Sequence, residues 1–288
     1  MNFLDILAAD AAAIHVRLTE VLAERADEPV IHAMRYALNG GKRLRGFLVL
    51  ESARLHGVSE RALSAAAAIE ALHAYSLIHD DLPCMDDDDL RRGQPTVHKK
   101  WNEATAVLAG DALQTLAFEL LCDPALGSTE ARMALVLGLA KASGAEGMVL
   151  GQALDMAAEI ITMPLTLHQI TYLQAGKTGA LIRFSAQAGA IIAGADPRPL
   201  EAYAQALGLA FQISDDILDV RGDPAKAGKR LGKDAQAGKA TFVSLLGLEG
   251  AEARAAALIA EAEAHLSPYG TKAATLIAAA RFVIARES

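Results

Sequence analysis

Cysteine and aromatic residues are both scarce in this chain of 288 residues. Two cysteines cannot form a framework of disulfide bonds, so we expect the protein in a reducing compartment. Aromatic residues make up 5% of the sequence, and alternating β-branched stretches are nearly absent, which argues against a sheet protein. Positive charge is also in deficit, because 27 Lys and Arg stand against 35 Asp and Glu. The resulting net charge of −8 disfavours a nucleic-acid partner.

Long uncharged runs are missing as well. The longest covers residues 160–176 and includes Pro164, His168 and two glutamines, so it predicts no membrane span. The first residues lack the basic flank and the small-residue cleavage site of a signal peptide. We therefore expect a cytoplasmic protein.

Alanine is abundant, and it is the strongest helix former. The breaks between apolar segments are short, none resembles a linker between domains, and no repeat period is visible. The sequence therefore predicts a single all-α domain over residues 1–288, built as a bundle of about ten helices. The clearest predicted helices are 62–79, 103–121, 131–159, 167–195 and 199–220, with a weaker one at 251–265.

Nine carboxylates fall into two clusters. The first comprises Asp80, Asp81 and Asp86 to Asp89, and the second comprises Asp215, Asp216 and Asp219. An Asp run is most often a solvated loop, but these residues end or interrupt apolar helices, where an unpartnered charge is costly. Oxygen donors without cysteine or histidine at metal spacing favour Mg²⁺, and two such clusters suggest a diphosphate held between them. Without these nine carboxylates the charges of the chain nearly balance.

Basic residues accompany the clusters. The stretch Gly-Gly-Lys-Arg-Leu-Arg at 40–45 supplies three cations after a flexible turn, and it lacks the spacing of a P-loop. Arg91 and Arg92 follow the first cluster, and arginine suits bidentate binding of phosphate. Lys177 lies in a helical segment, and Lys229 follows the second cluster. Any one of these could be an ordinary surface cation, but their placement beside acidic clusters favours a diphosphate site.

Six motifs in order resemble those of the trans-isoprenyl diphosphate synthases, most closely the bacterial-type farnesyl diphosphate synthases. They are Gly-Gly-Lys-Arg-Leu-Arg at 40–45, His-Ala-Tyr-Ser-Leu-Ile-His-Asp-Asp-Leu-Pro at 73–83, Asp-Asp-Asp-Asp-Leu-Arg-Arg-Gly at 86–93, Gly-Asp-Ala-Leu-Gln at 110–114, Gly-Lys-Thr at 176–178 and Phe-Gln-Ile-Ser-Asp-Asp-Ile-Leu-Asp at 211–219. The resemblance extends from about residue 30 to residue 245. It implies the isoprenoid synthase fold, with helices around a central apolar cavity, and a homodimer.

The resemblance also implies an activity and a set of site residues. The family condenses an allylic diphosphate with isopentenyl diphosphate, head to tail, and releases pyrophosphate. Asp80, Asp86 and Asp215 would bind Mg²⁺, with three ions per active site when substrate is bound. Asp81, Asp216 and Asp219 complete the predicted metal ligands, and of these Asp81 and Asp219 would act in support. The allylic diphosphate would contact Arg91, Lys177, Thr178, Gln212 and Lys229, of which Thr178 and Gln212 have the dipoles to face an allylic cation. Isopentenyl diphosphate would bind without metal to Lys42, Arg45, His73 and Arg92.

Product length is expected to depend on Tyr75 and Ser76. Tyr75 precedes Asp80 by five residues, about 7.5 Å along a helix, so its ring could form the floor of the chain pocket. In the family, an aromatic residue here and four residues between Asp81 and Asp86 accompany a C15 product. Alternatives are a geranyl or geranylgeranyl product, a buried tyrosine without this role, a terpene cyclase, or a non-catalytic partner subunit.

Three positions depart from the family pattern. Gly46 stands where proline is usual, Leu150 where a second glycine is common, and Phe242-Val243 where Tyr-Pro is usual. Cys84 lies in the first acidic loop, where we expect it to be neutral to function.

Overall fold

The structure is a computed structural model that describes residues 2–160, 164–221 and 240–285. Helices dominate these residues, and the sheet among them is a single hairpin of two-residue strands. An all-α protein is therefore confirmed. The chain divides into two compact units, residues 1–139 with 188–195, and residues 140–187 with 196–288. The expectation of one domain over 1–288 stays a prediction.

Unit 1 contains the first acidic cluster. Its helices are α1 (Phe3–Ala23), α2 (Pro29–Ala37), α3 (Leu44–Leu55), α4 (Leu63–Asp80), α5 (Val97–Lys100) and α6 (Glu103–Leu121), with the first part of α7 (Thr129–Ser143). The hairpin strands β1 (Leu90–Arg91) and β2 (Gln94–Pro95) are antiparallel. Short 3₁₀ turns lie at Ser59–Arg61 and Pro124–Leu126.

Helix α4 is the core of unit 1. Ala65 to Ala68, Ile69, Ala71 and Leu72 are all buried, so the helix has almost no solvent face along its first three turns. It packs along its length against α6 and also contacts α1 and α3. Alanine permits this because it lets neighbouring helix backbones approach closely and costs no side-chain entropy. The predicted helix at 62–79 is confirmed within one residue.

The crossing of α4 and α6 depends on Gly110. The His79 ring on α4 reaches over this glycine, and its Nε2 atom lies 3.1 Å from the carbonyl oxygen of Val107. A Cβ atom at Gly110 would come within 2.1 Å of His79 Nε2. Because His79 immediately precedes Asp80, this contact sets how the end of α4 lies on α6.

We expect Gly110→Ala to destabilise the protein by about 1–3 kcal/mol, the usual cost of overpacking a tight contact. The added methyl group must displace the His79 ring or separate the two helices. Urea unfolding of the full chain would measure the effect.

Gly250→Ala is a suitable control, because its Cβ would meet only the Leu246 side chain, at 3.3 Å. Equal stability of the Gly110→Ala variant and the natural chain would show that the His79 contact does not constrain the crossing.

Unit 2 contains the second acidic cluster. Its helices are α8 (Met148–Ile160), α9 (Leu167–Gln174), α10 (Ala180–Ala193), α11 (Arg198–Arg221), α12 (Phe242–His265) and α13 (Ala274–Ala285), and the last six residues of α10 belong to unit 1. One turn of π-helix, Ala175–Gly179, joins α9 to α10. A 3₁₀ segment, Ser267–Ala273, precedes α13. Helices α11 and α12 pack extensively against each other.

The predicted helix at 131–159 is wrong as one element. The structure has α7 and α8 with a turn between Ser143 and Met148. Gly147 lies in this turn, and a Cβ there would come within 2.1 Å of the Ala142 carbonyl oxygen. The backbone therefore folds too tightly at this point for a continuing helix. The predicted segment 167–195 is helical throughout but is interrupted by the π-helix.

Two helical stretches, Glu103–Leu121 and Thr129–Ala158, are long and apolar enough to cross a membrane by length and composition. Of their most apolar windows, 44% and 28% are buried inside the protein. Core helices pass the same test, so these stretches are weak evidence for a membrane span. Both cysteines, Cys84 and Cys122, are exposed free thiols.

Candidate active site

The first acidic cluster begins where α4 ends. Asp80 is the last residue of the helix and Asp81 is its C-cap. The backbone N–H of Asp86 donates to the carbonyl oxygen of Asp80 at 2.8 Å, so the intervening loop folds back and brings these two residues together. A helix C-terminus carries negative partial charge. Carboxylates gathered there raise the local negative potential further and favour a bound cation.

Asp81 is buried and belongs to an ion pair. Arg91 Nε donates to both of its carboxylate oxygens at 2.9 Å, and Arg91 Nη2 donates to Oδ1 at 2.6 Å. Burial raises the pKa of Asp81, while the Arg91 guanidinium acts in the opposite direction. Arg91 thereby ties the start of the hairpin to the end of α4.

Removing the positive partner should cost more stability than removing both partners. We expect Arg91→Gln to lower the free energy of unfolding by about 2–4 kcal/mol, since it leaves Asp81 buried and charged without compensation. Adding Asp81→Asn should recover part of that loss, because the buried charge then disappears. Urea unfolding of Arg91→Gln, of Asp81→Asn and of the double variant completes the double-mutant cycle. Strictly additive losses would contradict a coupled pair.

The glycine-rich basic motif lies beside Arg92. Gly40 and Gly41 have positive φ angles of 76° and 82°, which glycine adopts without strain. The Arg92 guanidinium lies directly over Gly41, where a Cβ would come within 2.7 Å of Nη2. Arg92 Nη1 donates to the Asn39 carbonyl oxygen at 3.2 Å. These contacts bring together two basic motifs that are about fifty residues apart in the sequence.

A pocket of about 240 Å³ opens among these elements of unit 1. Gly40, Gly41, Asp81, Arg91 and Arg92 contribute to its lining. Two arginines, and an aspartate already paired with one of them, therefore meet in one concavity, which suits the binding of a diphosphate.

Arg45 and His73 are adjacent, with 3.4 Å between Arg45 Nη1 and His73 Nε2. Burial holds the pKa of His73 well below its usual range, and the nearby positive charges of Arg45, Arg92 and Arg91 add to this effect. The imidazole is therefore neutral at pH 7. Lys42 is exposed.

Arg43 within the basic motif and Gly46 directly after it make contacts that support the fold. Arg43 is buried and its Nη2 donates to the Leu38 carbonyl oxygen at 2.6 Å. The backbone N–H of Gly46 donates to Glu70 Oε1 at 2.8 Å. Proline, which is usual at this position, has no N–H to make that bond, so the departure at Gly46 supplies a partner for buried Glu70.

A second acidic group lies farther along the loop. Asp87, Asp89 and His98 bring possible metal-ligand atoms within 4.8 Å of one another. Both carboxylates are exposed, and Asp89 already pairs with Lys99 at 2.8 Å. These residues form an Asp-rich group that can attract cations, but exposed groups of this kind do not by themselves indicate a metal site.

In unit 2, Lys177 lies on the π-helix and pairs with Asp155, at 2.6 Å between Nζ and Oδ2. Gly151 allows α8 to approach this turn, because a Cβ there would come within 2.0 Å of the Lys177 backbone nitrogen. Single π-turns within helices are frequent at functional sites. Sequence reasoning missed Asp155, and its only signal was its position four residues after Gly151.

Thr178, the next residue, joins a chain of polar contacts that ends at α12. Its hydroxyl lies 3.3 Å from Gln212 Oε1 and 3.4 Å from Gln174 Oε1. Gln212 Nε2 donates to Asp216 Oδ1 at 3.2 Å, and the backbone N–H of Phe242 donates to Asp216 Oδ2 at 2.8 Å. Asp216 is buried, whereas Asp215 and Asp219 on the same helix are half-buried.

The remaining predicted residues are placed as follows. Tyr75 is buried on α4, and its ring makes an edge contact with the His79 ring at 5.1 Å between centroids. Burial raises the pKa of Tyr75, and the negative charges of Asp80 and Asp111 add to the shift. The Ser76 hydroxyl donates to the His73 carbonyl oxygen at 2.9 Å. Lys229 lies outside the described residues.

Comparison with known proteins identifies the family of the chain. The polyprenyl synthetase family model matches residues 27–273. A farnesyl diphosphate synthase from Escherichia coli is 53% identical over 246 residues, covering 83% of this chain and 82% of that protein. Another, from Haemophilus influenzae, is 47% identical and covers 92% and 91%. The crystal structure of an FPP/GFPP synthase from Zymomonas mobilis superposes with a TM-score of 0.91 at 48% identity, covering 98% and 99%.

The chain belongs to the polyprenyl synthetase family and has the all-α isoprenoid synthase fold. It is a prenyltransferase of isoprenoid biosynthesis, and its substrates are diphosphates. Enzymes of this family depend on metal ions held by acidic residues. The donors present here are carboxylate oxygens, which suit a hard cation such as Mg²⁺.

Proposed function

We propose that this enzyme condenses dimethylallyl or geranyl diphosphate with isopentenyl diphosphate, head to tail, and that its main product is farnesyl diphosphate. The observation that carries the proposal is the pocket of unit 1, where Asp81 and Arg91 meet the glycine-rich basic motif and Arg92. Next to this pocket, the end of α4 brings together Asp80 and Asp86, whose carboxylates need a metal ion to bind a diphosphate. The motif at 40–45 and Arg92 are basic and need no metal ion. Two diphosphate substrates of different chemistry require such a pair of sites.

Asp80, Asp86 and Asp215 are the proposed Mg²⁺ ligands, with Asp81 and Asp219 in support and three ions per active site in the presence of substrate. The ions supply positive charge that stabilises pyrophosphate as it leaves. Lys177 and Lys229 add charge to the same leaving group. Arg91 acts on it while pairing with Asp81.

Isopentenyl diphosphate is bound by Lys42, Arg45, His73 and Arg92. Neutral His73 can donate a hydrogen bond without adding charge. The side-chain dipoles of Thr178 and Gln212 face the allylic cation that forms when the C–O bond breaks. The proton lost after coupling goes to the departing pyrophosphate, so the scheme needs no dedicated side-chain base.

Incubation of the full chain with Mg²⁺, geranyl diphosphate and labelled isopentenyl diphosphate tests the proposal. We expect elongation to a C15 product, identified by chromatography after dephosphorylation. Asp80→Asn should lose most of this activity, and Asp196→Asn should retain it, because Asp196 is exposed and pairs with Arg198. No elongation by the natural chain with Mg²⁺ present would refute the synthase function. A cyclic product would instead indicate a terpene cyclase.

A longer product is the second candidate, because the similar Zymomonas mobilis protein is described as a synthase of both FPP and GFPP. In this proposal the bulk of the Tyr75 ring decides between the C15 product and a longer one. We expect Tyr75→Ala to raise the proportion of products longer than C15 severalfold, since removing a buried ring opens space below Asp80. Chromatography of the products measures this, with the exposed Tyr172→Ala as control. An unchanged distribution would remove Tyr75 from the floor of the pocket.

We further propose a cytoplasmic homodimer. In unit 1, α6 exposes Val107 and Leu108, and α7 exposes Met133 and Leu137, each with 39–62% of its surface in water. Met133 and Leu137 are four residues apart and share one face of α7, and exposed apolar side chains of this kind are typical of a subunit interface. Sedimentation of the full chain should give a dimer, and Leu108→Glu should shift it towards monomer. A monomeric natural chain would contradict this interface.

A further inference from the structure

Asp216 belongs to the second acidic cluster, but its contacts differ from those expected of a dedicated metal ligand. It is 7% exposed, and each of its carboxylate oxygens accepts a hydrogen bond from the protein. Oδ1 accepts from Gln212 Nε2 at 3.2 Å, and Oδ2 accepts from the Phe242 backbone N–H at 2.8 Å. We propose that Asp216 is a positioning residue, which fixes the amide orientation of Gln212 and through it the hydroxyl of Thr178.

The hydrogen-bonding groups of Asp216 and Gln212 determine this orientation. An ionised carboxylate only accepts hydrogen bonds, so the group of Gln212 that faces Asp216 must be its NH₂. The opposite end of the amide, Oε1, then faces Thr178 Oγ1 at 3.3 Å. The glutamine presents the negative end of its dipole on the Thr178 side.

Without Asp216, the other amide orientation would also satisfy the local bonds. A flipped Gln212 could donate from Nε2 to Thr178 Oγ1, and the Thr178 hydroxyl could donate to Gln174 Oε1, which lies 3.4 Å away. The Thr178 hydroxyl can donate or accept, so neither it nor its other neighbour, Gln174, selects the amide orientation of Gln212. Asp216 is therefore the group among these contacts that decides whether an oxygen or an NH₂ group is turned towards Thr178.

The orientation matters because of the chemistry proposed for Thr178 and Gln212, on which this inference rests. An allylic cation is stabilised by a carbonyl or hydroxyl oxygen and destabilised by an NH₂ group in its place. The Phe242 contact adds rigidity, since it anchors the carboxylate to the first residue of α12. The π-helix turns the backbone so that Thr178 faces Gln212 on α11.

Asp216→Asn is the most informative variant. The amide oxygen of the new asparagine can still accept from the Phe242 N–H. Its NH₂ group then faces Gln212 and favours the flipped amide orientation of that glutamine. We expect kcat with geranyl diphosphate to fall about 10- to 100-fold, less than the roughly 100- to 1,000-fold cost of removing a well-placed dipole, because Gln212 is reoriented and not lost. KM for isopentenyl diphosphate and the Mg²⁺ concentration for half-maximal activity should stay within about threefold. Asp215→Asn is the matched control, and it should shift the Mg²⁺ dependence.

A double-mutant cycle separates positioning from general support of the fold. In a Gln212→Met background, Asp216→Asn should lower kcat by less than about threefold, because the amide that it orients is already gone. Full additivity of the two losses, or a shift in Mg²⁺ dependence equal to that of Asp215→Asn, would overturn the proposal. Thermal unfolding of each variant checks that the fold is retained.

A crystal structure of the natural chain with Mg²⁺ and pyrophosphate tests the same point without mutation. We expect the Gln212 and Phe242 bonds to persist. A Mg²⁺ ion at about 2.1 Å from an Asp216 oxygen would show a metal ligand and overturn the proposal. The activity of the natural chain is a separate measurement. Lack of elongation would refute the synthase function, whereas the crystal structure decides the role of Asp216 independently of that activity.

Discussion

The site of unit 1 depends on the cost of placing carboxylates at the end of a buried helix. Helix α4 has almost no solvent face along its first three turns and ends in Asp80 and Asp81, where the helix dipole already contributes negative potential. Arg91 offsets one of these charges within the protein. Asp80 and Asp86 come together at the same helix end, where their negative charge favours a divalent cation. The proposed Mg²⁺ would therefore couple diphosphate binding to the charge balance of the site.

The sequence predicted the helices with strong apolar content and clear ends. The bounds at 103–121 agree with the structure, and those at 62–79 and 199–220 differ by one residue. The turn at 144–147 was missed because its glycines cost only about 1 kcal/mol each in a helix, so they give a weak local signal. The tight backbone approach that ends α7 there is a property of the folded chain.

The types of site residue were readable from the sequence, but their partners were not. Arg92 over Gly41 and Arg45 beside His73 join segments far apart in the chain. Asp155 was invisible as the partner of Lys177, because nothing in a lone aspartate on a helix indicates what it contacts. For Asp216, the acidic motif predicts a metal ligand, but its two hydrogen bonds within the protein were not readable from the sequence, and they support the positioning role proposed above.

The backbone bond from Asp86 to Asp80 closes a loop of five residues through main-chain atoms alone. Side chains at positions 83 to 85 are not part of that closure, and two of the three are exposed. The spacing of the two carboxylates is thus set largely by how many residues intervene. In evolutionary terms, an insertion or a deletion in this loop should therefore be a direct way to an enzyme with a different product.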